Sequence, residues 1–216
     1  MNLPIVQLLV LAGIAVFLIL KLRSVLGTRE GYERPPEPLE RRRGPDLSVI
    51  EGGPDADITD NVPENSNDAK ALIAMKGIDR DFSVNEFLKG ARGAYEMILM
   101  AFERGELADV QPFISEEVYD AFDAVVADRA EKGLTVEAEF IGVSDMRIHD
   151  VDFDRENNEA EISVKFIGEM TYQLRDRGGD VIDGDKATVK KQKDIWTFAR
   201  VMGSDDPNWI LVATGE

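Results

Sequence analysis

The one histidine of the sequence, His149, stands among four aspartates, Asp145, Asp150, Asp152 and Asp154. Closely spaced carboxylates supply the oxygen ligands that calcium takes, and a calcium-binding helix–loop–helix sets them at fixed positions around a central glycine. This stretch has neither that spacing nor the glycine and runs toward a turn, so it reads as the solvated end of a strand. With no cysteine in the chain, disulfides and thiolate metal sites are excluded. A single histidine excludes a histidine–metal cluster. No metal, no cofactor and no catalytic residue is expected.

Two other groups of side chains could do chemistry of a binding kind. Phe140, Phe166, Met170, Trp196, Phe198 and Trp209 are either core or the lining of a groove for a lipid tail or an exposed peptide segment. A buried tryptophan needs a partner for its indole N–H, which favours a groove rim for at least one of the two. Lys190, Lys191 and Lys193 oppose the charge around them. They could face headgroups or an acidic partner, or guard a sheet edge against further pairing.

The formal charge of −17 is unevenly spread. Residues 1–50 carry seven basic and five acidic side chains, and residues 51–216 carry 18 basic and 37 acidic. So acidic a segment repels phosphate backbones, so nucleic acid is not expected as a partner. Leu3 to Leu20 is a run of 18 residues without a charge, enough at 1.5 Å per residue to span roughly 27 Å of bilayer. Leu3, Ile5, Leu9, Leu11, Ile14, Phe17 and Leu20 face lipid in this reading, with Lys21 and Arg23 snorkelling to the interface. A cleaved signal peptide would place basic residues before the run and a small-residue cleavage site after it. Here Lys21 and Arg23 follow the run and no cation precedes it. Positive-inside logic then puts the rest of the chain in the cytoplasm, and the absence of an Arg-rich amphipathic start favours a bacterial inner membrane.

Residues 1–26 thus read as a transmembrane anchor and 27–66 as a disordered linker holding six of the nine prolines, with 67–216 as the folded domain. Arg41, Arg42 and Arg43 in the linker read as a solvated charge cluster, diluted by nearby acids. Residues 69–78 form a short amphipathic stretch, either a membrane-surface helix or a lever packed on the core.

The elements that must position the binding residues follow. Ser83 and Glu86 have capping-box spacing. Phe87, Leu88, Ala91, Tyr95, Ile98, Leu99 and Phe102 then recur at helical period until Gly105, a natural stop. A second helix follows Pro112, with Glu116 and Glu117 in its first turn, Val118, Phe122, Val125 and Val126 inward, and Gly133 at its close. Ala160, Ile162, Val164, Phe166, Met170, Tyr172 and Leu174 alternate with polar residues over residues 159–174, a long strand with one buried face. Thr135–Ile148 reads as a strand bulged near Ile141 and Gly142, Arg177-Gly178-Gly179 as a hairpin turn, and Ala187–Ala199 and Trp209–Ala213 as further strands. Short connections imply antiparallel pairing in sequence order. The expected class is α+β, a cone with helices on the concave face of a curved antiparallel sheet.

Three stretches then resemble a known family. They are Ile78-Asp79-Arg80-Asp81-Phe82, the run from Phe87 through Tyr95, and Ala101-Phe102-Glu103-Arg104-Gly105-Glu106-Leu107. Asp194 to Arg200 and Pro207-Asn208-Trp209 add to them. Together they resemble the C-terminal domain of the mitochondrial translocase adaptor, the Tim forty-four family, and its alphaproteobacterial TimA relatives, over roughly residues 66–216. The resemblance implies a nuclear-transport-factor-two-like cone, attachment to inner-membrane lipids, and an adaptor role toward a protein partner such as a DnaK-type chaperone, translocase, membrane protease or ribosome. It brings no catalytic residues. The mitochondrial adaptor has a long chaperone-docking region ahead of this domain, where this chain has the apolar run and linker. Some members of the wider superfamily use the cone's pocket for proton transfer, which needs a carboxylate in an apolar site. The clean strand offers only apolar residues inward, so no such acid is expected and the protein is expected to be a non-enzyme. The alternative is a lipid- or hydrophobe-binding module.

Overall fold

The computed structural model describes residues 55–215. Four helices come first: α1 (Ala56–Thr59), α2 (Asn67–Ile78), α3 (Val84–Arg104) and α4 (Glu116–Glu131), with 3-10 turns at Leu107–Asp109 and Gln111–Phe113 between the last two. Four strands follow, β1 (Thr135–Asp154), β2 (Glu159–Arg175), β3 (Val181–Val201) and β4 (Ile210–Gly215). They pair antiparallel in the order β1-β2-β3-β4, as short hairpin connections require. This is the mixed helix-and-antiparallel-sheet class that the periodicities imply.

The expected anchor and residues 27–54 of the expected linker lie outside the described residues. Among the described residues, no helix is long and apolar enough to cross a membrane. The linker's far boundary needs correction. Residues 55–66 are folded: Asp55 caps α1, and Ile58 and Val62 are buried in the core. Prolines and charges hid two apolar residues at helical spacing, and two such residues suffice when a preformed surface receives them.

Helix α3 is the organising element. Its stripe of Phe87, Leu88, Ala91, Tyr95, Ile98 and Leu99 is buried, and Gly105 ends it in the left-handed conformation at φ 74°. The capping box is half as expected. Ser83 accepts from the Glu86 amide at 3.4 Å, but the amides of Val84 and Asn85 are taken by Asp57, from the segment read as linker. Helix α2 lays Ala69, Leu72 and Met75 on the core against β1 and leaves Ile73 and Ile78 exposed. Helix α4 buries only Val118 completely. Phe122, on its inner side, meets Phe102 of α3 at 4.7 Å, while Arg129 lies 4.6 Å from the same ring.

The sheet keeps the expected alternation. Ala160, Ile162, Val164, Phe166 and Met170 are buried beneath the helices. The expected bulge in β1 falls between Phe140 and Gly142, and two more follow at Val143/Asp145 and Ile148/Asp150. Such bulges bend an edge strand. Helix side chains cap this edge: Arg92 donates to the Val143 carbonyl at 3.3 Å and Asp68 accepts from the Val151 amide at 3.2 Å. Strand β3 begins earlier than the sequence suggested, at Val181. Its residues Lys186–Val189 have no β2 partner in the register, which shifts between Met170 and Tyr172.

Candidate functional site

The six residues read as core or groove divide between the two. Phe166, Met170 and Trp196 are sealed in the core around Tyr95. The Tyr95 ring stacks on Phe166 at 4.4 Å and 10° and meets Trp196 at 4.8 Å. Phe140, half-buried, approaches the same ring edge-on at 6.1 Å. Of the two readings, these four residues take that of core. Phe198, although buried, forms part of the floor of a groove elsewhere, and Trp209 forms its wall.

That groove has a volume of about 460 Å³ and opens between the N-terminal half of α3 and the loop before β4. Phe82 and Phe87 pack against Trp209, at 5.9 Å and 4.7 Å between ring centres. Ala91 and Ala94 lie along the floor, Gly90 leaves open space where a side chain would project, and Met97 stands 40% exposed at the lip. Asp81 and Glu86 put carboxylates on the rim. The one cation in the lining, Arg200, is already engaged with Asp79 at 2.9 Å and with the Asp206 carbonyl at 3.2 Å. Asp206 in turn accepts from the Asn208 amide and side chain, at 2.9 Å and 2.8 Å, and this turn presents Trp209. A surface of rings, small residues and two carboxylates can bind by burial and charge.

The wall carrying Phe82 and Phe87 is held from behind by Asp57. Its Oδ1 accepts from the Ser83 hydroxyl at 3.0 Å and the Asn85 amide at 2.9 Å, and its Oδ2 from the Val84 amide at 2.8 Å. Lys76 lies 2.7 Å from Asp57 and from Asp55. Burial works against the Asp57 anion, but Lys76, the two amides and the hydroxyl outweigh it and hold the pKa at about 2. Burial likewise opposes the Lys76 cation, and its two aspartates still raise its pKa. Pattern reading passed over Asp57 because the residue gains its role from a helix 27 positions later. The available signal was Ile58 and Val62 at helical spacing just after it.

A second omission is Asp194. The expectation of no acid on the helix-covered face came from β2 alone, but β3 places Asp194 there opposite Phe166. It accepts from the Tyr95 hydroxyl at 2.5 Å and from Gln192 at 3.1 Å. Burial, and then the Asp194 carboxylate, push the Tyr95 phenol well above its ordinary pKa. Gly168 is required beside it, because a Cβ there would stand 2.6 Å from the Tyr95 hydroxyl. The signal was present: counting back by twos from Phe198 and Trp196 reaches Asp194. Nearby, Glu103 is raised by burial, against the pull of Arg129 and Lys190.

The remaining candidates are surface features. Lys190, Lys191 and Lys193 lie where β3 has no strand on its other side, since β4 pairs only with Ile195–Ala199. Lys191 pairs with Glu169 at 3.0 Å, and Lys190 stands 4.9 Å from the Tyr172 ring. Lysines at an open edge hinder the addition of another strand. His149 is exposed on β1 at the third bulge. Among the described residues, no three His, Asp or Glu side chains gather as a metal site. The membrane-facing residues from Leu3 to Arg23 lie outside the described residues.

No curated protein matches the chain. Among solved structures, the intermembrane space region of the chloroplast protein ARC6 is similar at a TM-score of 0.41 and 12% identity, over 59% of this chain and 94% of that one. The model of the Tim44-like domain, the Tim forty-four family of the sequence resemblance, matches residues 68–216. That match takes in α2 through β4 and the residues lining the groove, and on it the chain belongs to the Tim44-like domain family.

Proposed function

We propose that this protein is a membrane-anchored, non-enzymatic adaptor that tethers a protein partner at the bacterial inner membrane, with the partner seated in the groove beside α3. The observation that carries the proposal is a convergence. Three of the stretches on which the family resemblance rests, 78–82, 87–95 and 207–209, meet at this one apolar groove and supply most of its lining. A groove with the half-buried rings of Trp209 and Phe113, the exposed Met97 and a small-residue floor suits a packed protein segment, since burying aromatic side chains supplies much of the energy of such contacts. Membership in the Tim44-like family supports a membrane-associated adaptor role in general.

The finer parts of the proposal are a single-pass anchor at residues 1–26, a cytoplasmic domain of nuclear-transport-factor-two-like cone form, closeness to the TimA-type relatives, and a partner drawn from chaperones of DnaK type, translocases, membrane proteases or ribosomes. The non-enzymatic part is supported by the state of Asp194, a carboxylate sealed in the core with hydrogen bonds at both oxygens. The lipid-binding alternative would use the same groove, since Phe166, Met170 and Trp196 are buried core residues around and beside Tyr95 rather than groove lining.

A photo-crosslinking amino acid at Met97, in the full-length protein in intact cells, separates these readings. The expected result is one dominant adduct with a protein of the named classes, absent when the same group is placed at Asn157 in the β1–β2 turn. Adducts to lipid alone would replace the adaptor with the hydrophobe-binding module. Equal labelling from Asn157 would remove the groove from the proposal.

A further inference from the structure

The groove's aromatic wall is built on the first turn of α3, and the amides of that turn are satisfied by a segment outside the Tim44-like match. A helix leaves its first N–H groups without internal partners. Here Ser83 takes the Glu86 amide, while Val84 and Asn85 donate to Asp57. Val84 is wholly buried, so water is a poor substitute at its amide. The lining residues Phe82, Ser83, Glu86 and Phe87 flank these amides in sequence. Asp57 itself is pinned on both sides, by the buried Ile58 and Val62 and by Lys76. Asn61 adds a side-chain hydrogen bond to Asn85 at 3.2 Å.

We infer that residues 55–62 form a positioning strap for the groove: Asp57 fixes the first turn of α3 and thereby sets Phe82 and Phe87 against Trp209. The inference rests on the reading of the groove as the docking surface. It makes the site larger than the family domain, because a protein starting at residue 67 would retain every lining residue and lose the part that aligns them. Asp57 touches no partner in this scheme and acts through α3.

The test uses the full-length protein labelled with 5-fluorotryptophan, which gives one fluorine line for each of its two tryptophans. Trp209→Phe assigns the lines, and amide hydrogen exchange is followed in parallel. In Asp57→Ala the Trp209 line shifts, the Trp196 line stays, and exchange at residues 84–87 rises by about tenfold or more. Asp57→Asn, which keeps one acceptor oxygen, gives an intermediate shift and decides the matter if the alanine variant does not fold. Lys76→Met leaves the Trp209 line in place; a shift as large as that of Asp57→Ala would assign the effect to the ion pair and overturn the role given to the amides. Ser115→Ala removes the equivalent cap from α4, and an equal shift there would reduce the strap to general stabilisation. An unmoved Trp209 line in folded Asp57→Ala, with faster exchange confined to residues 55–66, also overturns the inference. No partner enters this experiment, so its failure leaves the crosslinking result standing, and a failed crosslink leaves the strap standing.

Discussion

Strands β1, β2 and β3 each run through two environments. At one end Ile162, Val164 and Phe166 of β2 lie against Trp196 and Phe198 of β3 and under Tyr95 of α3, with essentially no exposure. At the other end the same alternation continues through Tyr172 and Leu174, yet both are only half-buried, and β3 exposes Val181 and Ile182 there. The inward residues remain apolar along the whole of β2. The difference is the cover: α3 crosses the first end, whereas α4 packs on Phe102 and β4 and buries little of itself. Alternation therefore fixes which side of the sheet a residue faces, and a helix from elsewhere in the chain fixes how deep it lies. Polar chemistry follows the same division. Under α3 a carboxylate is accommodated only as the closed group of Asp194, Tyr95 and Gln192, whereas at the far end Tyr172 donates to Asp183 in the open, beside Lys190.

The sharpest way to break this comparison is to remove one large side chain from each end. Phe166→Ala is expected to cost about 3–5 kcal/mol, because the stacked Tyr95 ring cannot follow the lost volume. Leu174→Ala should cost well under half as much, since water already reaches it. Urea unfolding of the two variants measures the contrast, and equal costs would mean that cover by α3 is not what separates the ends.

Next in size is the closed polar group. Tyr95→Phe leaves the Asp194 carboxylate without its shortest hydrogen bond and should cost about 1.5–3 kcal/mol. Its pH dependence has a definite sign. The folded pKa of Tyr95 lies above the ordinary phenol value of 10.0, so its contribution is whole below pH 10 and declines as pH rises from there toward the folded value. Stability of the wild type should therefore fall above about pH 10 more steeply than that of Tyr95→Phe, as followed by chemical denaturation at successive pH values.

Asp57 sharpens the comparison from the other side, being a carboxylate at the surface of the covered end. Asp57→Ala should cost about 1–2 kcal/mol, the range for losing a helix cap. With a pKa of about 2 in the fold against the ordinary carboxylate value of 3.8, the contribution is present above pH 4 and is lost as pH falls through 2. The stability difference between wild type and variant should shrink across that window and stay constant from pH 5 to 7. Smallest is Lys191→Ala at the far end. Its side chain is mostly exposed in the ion pair with Glu169, so no resolvable change in stability is expected in the same denaturation assay.

Several parts of this architecture were legible in the sequence because they depend on neighbours in the chain. The α3 stripe from Phe87 to Leu99, its stop at Gly105, the alternation of β2 and the bulge after Phe140 are all local: each follows from backbone period, a left-handed glycine or a break in alternation. The family was legible too, since short runs such as Asp79-Arg80-Asp81-Phe82 can be compared without knowing where they lie. The division of the six large apolar residues was not. Trp196 and Trp209 look alike in sequence, and only the path of α3 seals one and leaves the other facing a groove.

By itself the sequence determined the order of elements from α3 to β4, which face of β2 turns inward, the acidity of the domain and the lack of any cysteine-based chemistry. Those are properties of composition and of contacts a few residues apart. Only the tertiary structure decided that Asp57 belongs to α3, 27 residues away at Val84, that Asp194 is held by a tyrosine 99 residues earlier, and that Phe82, Phe87 and Trp209 share one groove. Such pairings arise when separate elements dock, and no local period records which distant residue will meet an unpaired amide, a buried carboxylate or an open ring.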